Sequence, residues 1–200
     1  MSKSYQKELD DILYALAGDE KRKKLLLHIC CAPCASYVLE YLSEYFDITA
    51  FFYNPNIYPV EEYDKRLQAL KKLLSLTASG KEVKLIEGSF QQGVFEAAVE
   101  GMQDEPEGGR RCMACIEQRL EETARMAGMG NYDYFCTTLS ISPLKSAYMI
   151  NTAGRQLERL YGVKFLPSDF KKKDGYKKSV KLCMDYGIYR QNYCGCRYSL

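Results

Sequence analysis

Apolar and polar positions along the chain fall into two alternating rhythms. KLLLHI (24–29) is a short continuous apolar run, the pattern of a buried strand. ASYVLEYLSEYF (35–46) then places Val38, Leu39, Leu42, Tyr45 and Phe46 at helical spacing. DITAFFYNP (47–55) reads as a second strand closed by an Asn-Pro turn signal. VEEYDKRLQALKKLLSL (60–76) is helical, with Leu67, Leu70, Leu73 and Leu74 on one face. EVKLIEG (82–88) predicts a third strand and QQGVFEAAVE (91–100) a short helix. After a DEPEGG loop (104–109), CIEQRLEETARMAG (115–128) predicts a helix capped by Gly128. YDYFCTTLS (132–140) is the fourth strand. SPLKSAYMINTAGRQLERLYG (142–162) is a helix with Pro near its first turn and Gly at its end. VKFLPSDF (163–170) is the fifth strand, and a last helix lies near 174–186.

Strands alternating with helices predict an α/β fold: a Rossmann-like, mostly parallel sheet flanked by helices. No repeat or long linker divides the chain, so one domain over 1–200 is expected. Within it, 1–23 forms an N-terminal helical extension and 24–198 the main body. Ligands of such sheets bind at the carboxyl ends of the strands. CCAPC, NPN and TTLS all fall at those ends.

Composition narrows the function classes. The 46% hydrophobic and 27% charged fractions are those of a globular protein in water. No apolar run reaches the roughly 20 residues that span a bilayer, and the first 24 residues are charged throughout. A cytoplasmic protein with no membrane partner is expected. Nine cysteines are then unusual, because disulfides rarely persist in that compartment. Seven of them fall in three clusters: Cys30, Cys31 and Cys34; Cys112 and Cys115; Cys194 and Cys196. Thiolates are soft ligands that select zinc, copper(I) or iron–sulfur clusters. One tetrahedral ion needs four ligands, and so does one [4Fe–4S] cube. Seven thiols therefore suggest four plus three, and two metal centres. Side chains of the adjacent Cys30 and Cys31 are expected to diverge and to serve two metal atoms more easily than one. Cys136 on a strand and Cys183 on a helix read as buried core thiols.

Charge is unevenly spread. Residues 1–140 carry 16 Lys and Arg against 22 Asp and Glu, a net of −6; residues 141–200 carry 12 against 4, a net of +8. A basic C-terminal third is an electrostatic footprint for nucleic acid, or a solvated lysine-rich face. His28, the single histidine, precedes Cys30 on the same strand face. It reads as a satisfied strand histidine, or as a group that orients a sulfur or donates a proton. Tyr53 and Asn54 open a turn and are placed to meet a base or ribose. Arg110, Arg111 and Arg119 flank the Cys112–Cys115 pair, placed to balance thiolate charge or bind phosphate.

LLLHICCAPC, FFYNPNIYPVEEYDKR, RCMACIEQRL, TTLSISPLKS and YRQNYCGCRYS together closely resemble the QueH family of epoxyqueuosine reductases. The resemblance runs from about 24 to 198 and takes in all seven clustered cysteines. It implies removal of the epoxide oxygen from epoxyqueuosine at the tRNA wobble position, the last step of queuosine synthesis. It also implies a [4Fe–4S] cluster with an adjacent mononuclear iron, the seven cysteines as metal ligands, and an external one-electron donor of ferredoxin or flavodoxin type. Cys34, set apart from the Cys30–Cys31 pair, is expected on the single iron. His28, Tyr53 and Asp169 are the candidate proton donors. Asn54, Tyr58, Arg111, Arg119, Ser140, Tyr189 and Gln191, all inside these motifs, are the candidates for binding substrate. The basic tail would hold the anticodon arm through phosphates, with tyrosines such as Tyr53, Tyr58 and Tyr189 stacking on exposed bases.

Two other functions fit parts of the pattern. The strand, loop and helix start also resemble the PP-loop (HUP-type) ATPases that thiolate tRNA, but CCAPCAS stands where their glycine-rich loop would be. A non-enzymatic, zinc-stabilised tRNA-binding module would use the same thiols without redox chemistry.

Overall fold

In the computed structural model, which describes residues 4–199, the first apolar run becomes the centre of a parallel sheet. Chain order is α1 (Tyr5–Leu16), β1 (Lys23–His28), α2 (Ala32–Leu42), β2 (Phe46–Phe52), α3 (Val60–Leu76), a single turn α4 (Ala78–Lys81), β3 (Lys84–Glu87) and α5 (Gln92–Ala98). There follow α6 (Arg110–Met129), β4 (Tyr134–Thr137), α7 (Ala147–Tyr161), β5 (Lys164–Phe165) and α8 (Gly175–Asp185). The strands lie in the order β3-β2-β1-β4-β5, and every neighbouring pair is parallel.

A parallel sheet is covered on both faces, which is why its strands read as continuous apolar runs. Leu25, Leu27 and Ile29 enter one core with residues of α1, α2, α3 and α8; Leu26 enters the other, among residues of α6 and α7. The chain winds outward through β2 and β3, then returns to lay β4 against β1. That reversal opens a crevice at the carboxyl ends of β1 and β4, the binding position of doubly wound folds. The Cys30 N–H donates to Thr138 Oγ1 (3.3 Å) across it.

Several boundaries differ from the expectation, each for a local reason. α2 begins at Ala32, three residues early, with Cys31 as its N-cap and Pro33 in its first turn. α6 begins at Arg110 rather than 115; its first turn carries thiols and arginines instead of a core stripe, so apolar periodicity is silent there. It ends at Met129 with Gly130 at the cap, and Gly128 lies inside the helix. α7 is capped by Ser146, whose Oγ accepts from the Met149 N–H; Pro143 sits in the turn before it. β4 stops at Thr137, where Thr138–Ile141 winds into a 3₁₀ turn. β5 is two residues long because the chain then leaves the sheet edge: the Ser168 N–H donates to Asn151 Oδ1 (2.9 Å) instead of a strand.

The N-terminal extension is part of the fold. Ser4 caps α1, and Leu9 and Leu13 are buried in the main core. Asp10 accepts from Tyr41 Oη (3.0 Å) and Lys173 Nζ (2.7 Å), tying α1 to α2 and to the approach to α8. Residues 1–3 of that extension, and Leu200, lie outside the described residues.

Gly175 opens α8 under tight constraint: a Cβ there would stand 1.9 Å from the Phe170 carbonyl oxygen and 2.7 Å from the Tyr37 ring. Gly175→Ala should therefore cost about 1–3 kcal/mol of overpacking, lowering Tm by about 2–12 °C in a chain of this size. Thermal unfolding with Gly18→Ala as control, where a Cβ meets nothing within 4 Å, checks this.

Candidate metal centre and cavity

The strand-to-helix turn after β1 gathers three thiols. Its sharp change of direction swings Cys30 and Cys31 toward one point, and their Sγ atoms stand 3.8 Å apart. The expected divergence of the pair does not occur. Cys34, one helical turn beyond Cys31, brings its Sγ within 4.8 Å of both, so it is not set apart from them either. Two sulfurs about 2.3 Å from one tetrahedral ion lie about 3.8 Å apart, so this trio matches the ligand spacing of a single ion. Hydrogen bonds from the Cys31 and then the Cys34 thiol hold the Cys30 pKa well below its usual range, while those of Cys31 and Cys34 are pushed up. The Thr138 hydroxyl lies 3.4 Å from Cys30 Sγ.

The other four thiols gather beside them from two distant segments. Cys112 and Cys115 lie one turn apart at the start of α6. Cys115 and Cys196 share a small buried cluster with Phe95 and Val99, and Cys194 packs against it. Cys112 Sγ accepts from the Gly108 N–H (3.2 Å). Burial raises the Cys115 thiol pKa and lifts that of Cys196 to about 11. Burial pushes Cys194 the same way, yet the charge of Lys145 and the backbone near Cys196 bring it below the usual thiol value.

Arg119 stands between the two groups. It is 4% exposed, its Nε donates to the Cys115 carbonyl (2.9 Å), and no carboxylate pairs with it among the described residues. Burial works against its charge; the neighbouring sulfurs of Cys115, Cys30, Cys194 and Cys112 more than offset that and raise its pKa. One guanidinium thus faces both thiol groups.

A cavity of about 410 Å³ opens over this arrangement, lined by Cys30, Cys31, Cys34, Cys194, Asn54, Arg119 and Gln191 among others. Its wall also holds Asn56, Arg66, Lys145, Arg190 and Tyr193. The residue types fit a metal: soft donors in a tight set, a buried counter-charge, and an open side.

Other candidate residues stand elsewhere. His28 is fully buried; its Nε2–H donates to the Tyr53 carbonyl (3.0 Å), and its Nδ1 lies 2.8 Å from Thr137 Oγ1. Burial, then the Arg119 charge, lowers its pKa to about 4. It is a neutral tie between β1, β2 and β4 and does not line the cavity. The Tyr53 ring stacks on Phe51 (5.7 Å) in the core under α6 and α7. Asp169 pairs with Lys171 (2.5 Å), outside the cavity lining. Ser140 is fully buried, its hydroxyl 2.9 Å from Ser168 Oγ. Arg111 is buried too, donating to the carbonyls of Gln103 (2.6 Å) and Glu105 (2.5 Å) rather than facing a phosphate. Tyr58 lies under the Arg197 guanidinium (4.4 Å), and Tyr189 Oη donates to Glu62 (2.8 Å); both are partly exposed.

Arg66, Asn56, Lys145, Arg190 and Tyr193 line the cavity although none was among the candidates expected from the sequence. A signal for Arg66 was present: it lies on the stripe of α3 that also carries Tyr63, Leu70 and Leu73, with a carboxylate four residues earlier at Glu62. The basic tail is narrower than its composition. Lys171, Lys173, Lys177 and Lys181 pair with Asp169, Asp10, Asp174 and Asp185. Lys145 and Arg190, at the cavity, have no such partner among the described residues.

The sequence profile of epoxyqueuosine reductase QueH matches residues 25–200. The chain belongs to the QueH family. It is similar to the epoxyqueuosine reductase QueH of Staphylococcus epidermidis, at 45% identity over 96% of this chain and 83% of the relative. The QueH of Streptococcus pyogenes serotype M1 is 40% identical over 98% of this chain and 78% of its own length. That of Thermotoga maritima is 41% identical over 88% and 90%. QueH membership makes this chain an oxidoreductase acting on a modified tRNA nucleoside, and it does not favour the thiolation or zinc-module alternatives. Among the described residues, no helix is long and apolar enough to cross a membrane.

Proposed function

We propose that the thiol-lined cavity is where this chain reduces epoxyqueuosine to queuosine in tRNA, with a [4Fe–4S] cluster and an adjacent mononuclear iron as cofactors. The observation that carries this reading is that Cys30, Cys31, Cys34 and Cys194, from two distant parts of the chain, line one cavity with Arg119, while Cys115 and Cys196 pack beside Cys194. Cys112, Cys115, Cys194 and Cys196 provide the four ligands a cube needs. Cys30, Cys31 and Cys34, spaced for one ion at the cavity wall, would hold the single iron. When bound, the two centres supply electrons singly and a Lewis acid for the epoxide oxygen.

The reaction consumes two electrons and two protons per epoxide and releases one water as the alkene forms. An external ferredoxin- or flavodoxin-like donor provides the electrons. Arg119 balances the thiolate charge and presents its guanidinium to the cavity. Lys145, beside Cys194, is the cavity-lining ammonium and is better placed to deliver protons than His28, Tyr53 or Asp169. Asn54 and Gln191 line the space where the modified base enters. A tRNA substrate supports a cytoplasmic site of action.

For the anticodon arm, phosphate contacts fall to Lys145 and Arg190, with the exposed rings of Tyr176 and Tyr189 available for stacking. The double variant Lys145→Gln/Arg190→Gln should bind tRNA more weakly and reduce the salt slope of log K by about 1.5. Filter binding across a salt series measures it; an unchanged slope would remove both residues from the interface.

The cofactor reading is tested by anaerobic reconstitution followed by iron and sulfide assay. About five irons and four sulfides per chain are expected for a cube plus one iron. Colourless protein holding only zinc after that treatment would overturn it.

A further inference from the structure

We infer that Arg66, locked in place by Glu62, is the positioning residue that sets where Cys194 and Cys196 stand. Residues 188–196 form neither helix nor strand, so side-chain contacts must fix their path. Arg66 donates through Nη1 to the Cys194 carbonyl (3.0 Å) and through Nη2 to the Tyr193 carbonyl (3.2 Å). The planar guanidinium fork spans two consecutive carbonyls, which a lysine ammonium does not reproduce. Arg66 Nε donates to Glu62 Oε1 (2.7 Å), and the other Glu62 oxygen accepts from Tyr189 Oη (2.8 Å). The Arg66 guanidinium also covers the Tyr193 ring at 5.1 Å. Its side chain is 3% exposed and that of Glu62 8%, so the pair is shielded from solvent and salt.

The glycine between the two cysteines is matched to this arginine. Gly195 has φ +104°, and a Cβ there would stand 2.8 Å from Arg66 Nη1 and 3.1 Å from Ile57. The Gly195 carbonyl accepts from the Tyr58 N–H (2.8 Å), so the turn is pinned from both sides. Cys-Gly-Cys is thus shaped to seat a guanidinium as well as to turn tightly. α3, which carries no thiol, decides where two of the seven thiols lie.

The inference needs the metal reading only in its last step, so metal-free protein tests it first. Reduced wild type, Arg66→Lys and Gly195→Ala are treated with iodoacetamide, and the rate at each cysteine is followed by peptide mass spectrometry. Cys194 and Cys196 should react at least about tenfold faster in both variants, the loss of roughly one charged hydrogen bond. Cys136 and Cys183, buried in the main core, should keep their wild-type rates and so report on global loosening. Removing one partner of a buried ion pair is itself destabilising; should Arg66→Lys fail to fold, Gly195→Ala, which keeps both charges, decides. Unchanged rates at Cys194 and Cys196, or rates that rise in step with Cys136 and Cys183 in Gly195→Ala, would overturn the inference. Iron uptake on reconstitution is then read: both variants should retain less iron than wild type, and wild-type retention in both would also overturn it. If wild type takes up no iron while the alkylation pattern holds, the metal reading fails and the positioning role stands.

Discussion

Cys112→Ala and Cys194→Ala should each lose iron colour after anaerobic reconstitution and fall below about one-hundredth of wild-type turnover. Removing even a residue that only supports a metal ligand costs about 10–100-fold, and these substitutions remove a proposed ligand outright. The two positions come from segments 82 residues apart in sequence, yet both stand near Arg119. A shared phenotype would therefore report a shared centre. Cys136→Ser and Cys183→Ser are the contrast. Cys136 Sγ donates to the Leu166 carbonyl (3.2 Å), a bond a serine can keep, and Cys183 is buried in the core beneath α2. Both should retain colour and turnover with at most a modest fall in Tm. Iron content and the nucleoside product decide it, and loss of colour in Cys183→Ser would show that the ligand set is wrong.

Arg119→Gln should make the proposed iron centres harder to reduce. A unit positive charge about 6 Å from a redox centre contributes about 3 kcal/mol at an effective dielectric of 20. Its removal lowers the reduction potential by the equivalent, on the order of 100 mV. Turnover should fall with it, because a donor matched to the wild-type centre then delivers electrons uphill. A stronger reductant should recover part of the rate if the field is the main loss. A redox titration followed by electron paramagnetic resonance reads the shift directly; an unchanged potential would confine Arg119 to a packing role.

The sheet was legible wherever the apolar pattern was strong. The first strand and the helix over 60–76 stand where periodicity places them, because their side chains face a core and little else. Boundaries slipped where residues face the site. Ala32 to Cys34 and Arg110 to Ala114 are helical, but their side chains serve thiol chemistry and capping, so no apolar stripe announces them. The clustered thiols were visible in the sequence because cysteine is scarce and its spacing carries meaning. Their grouping was not, since the direction of Cys30 and Cys31 depends on a turn that only the folded chain fixes. Polar residues fared worst. His28, Asp169, Ser140 and Arg111 are chemically versatile types, yet each spends its hydrogen bonds holding backbone or neighbouring side chains. A residue type says what a side chain can do; only its partners say what remains free to meet a substrate.

By this proposal the cavity removes the epoxide oxygen of a tRNA nucleoside. Reconstituted, reduced protein is incubated anaerobically with tRNA bearing epoxyqueuosine, and the nucleosides are digested and weighed by mass spectrometry. The predicted result is loss of one oxygen to give queuosine, dependent on reductant and absent with Cys194→Ala. Iron-loaded, reduced wild type that leaves epoxyqueuosine unchanged would contradict it.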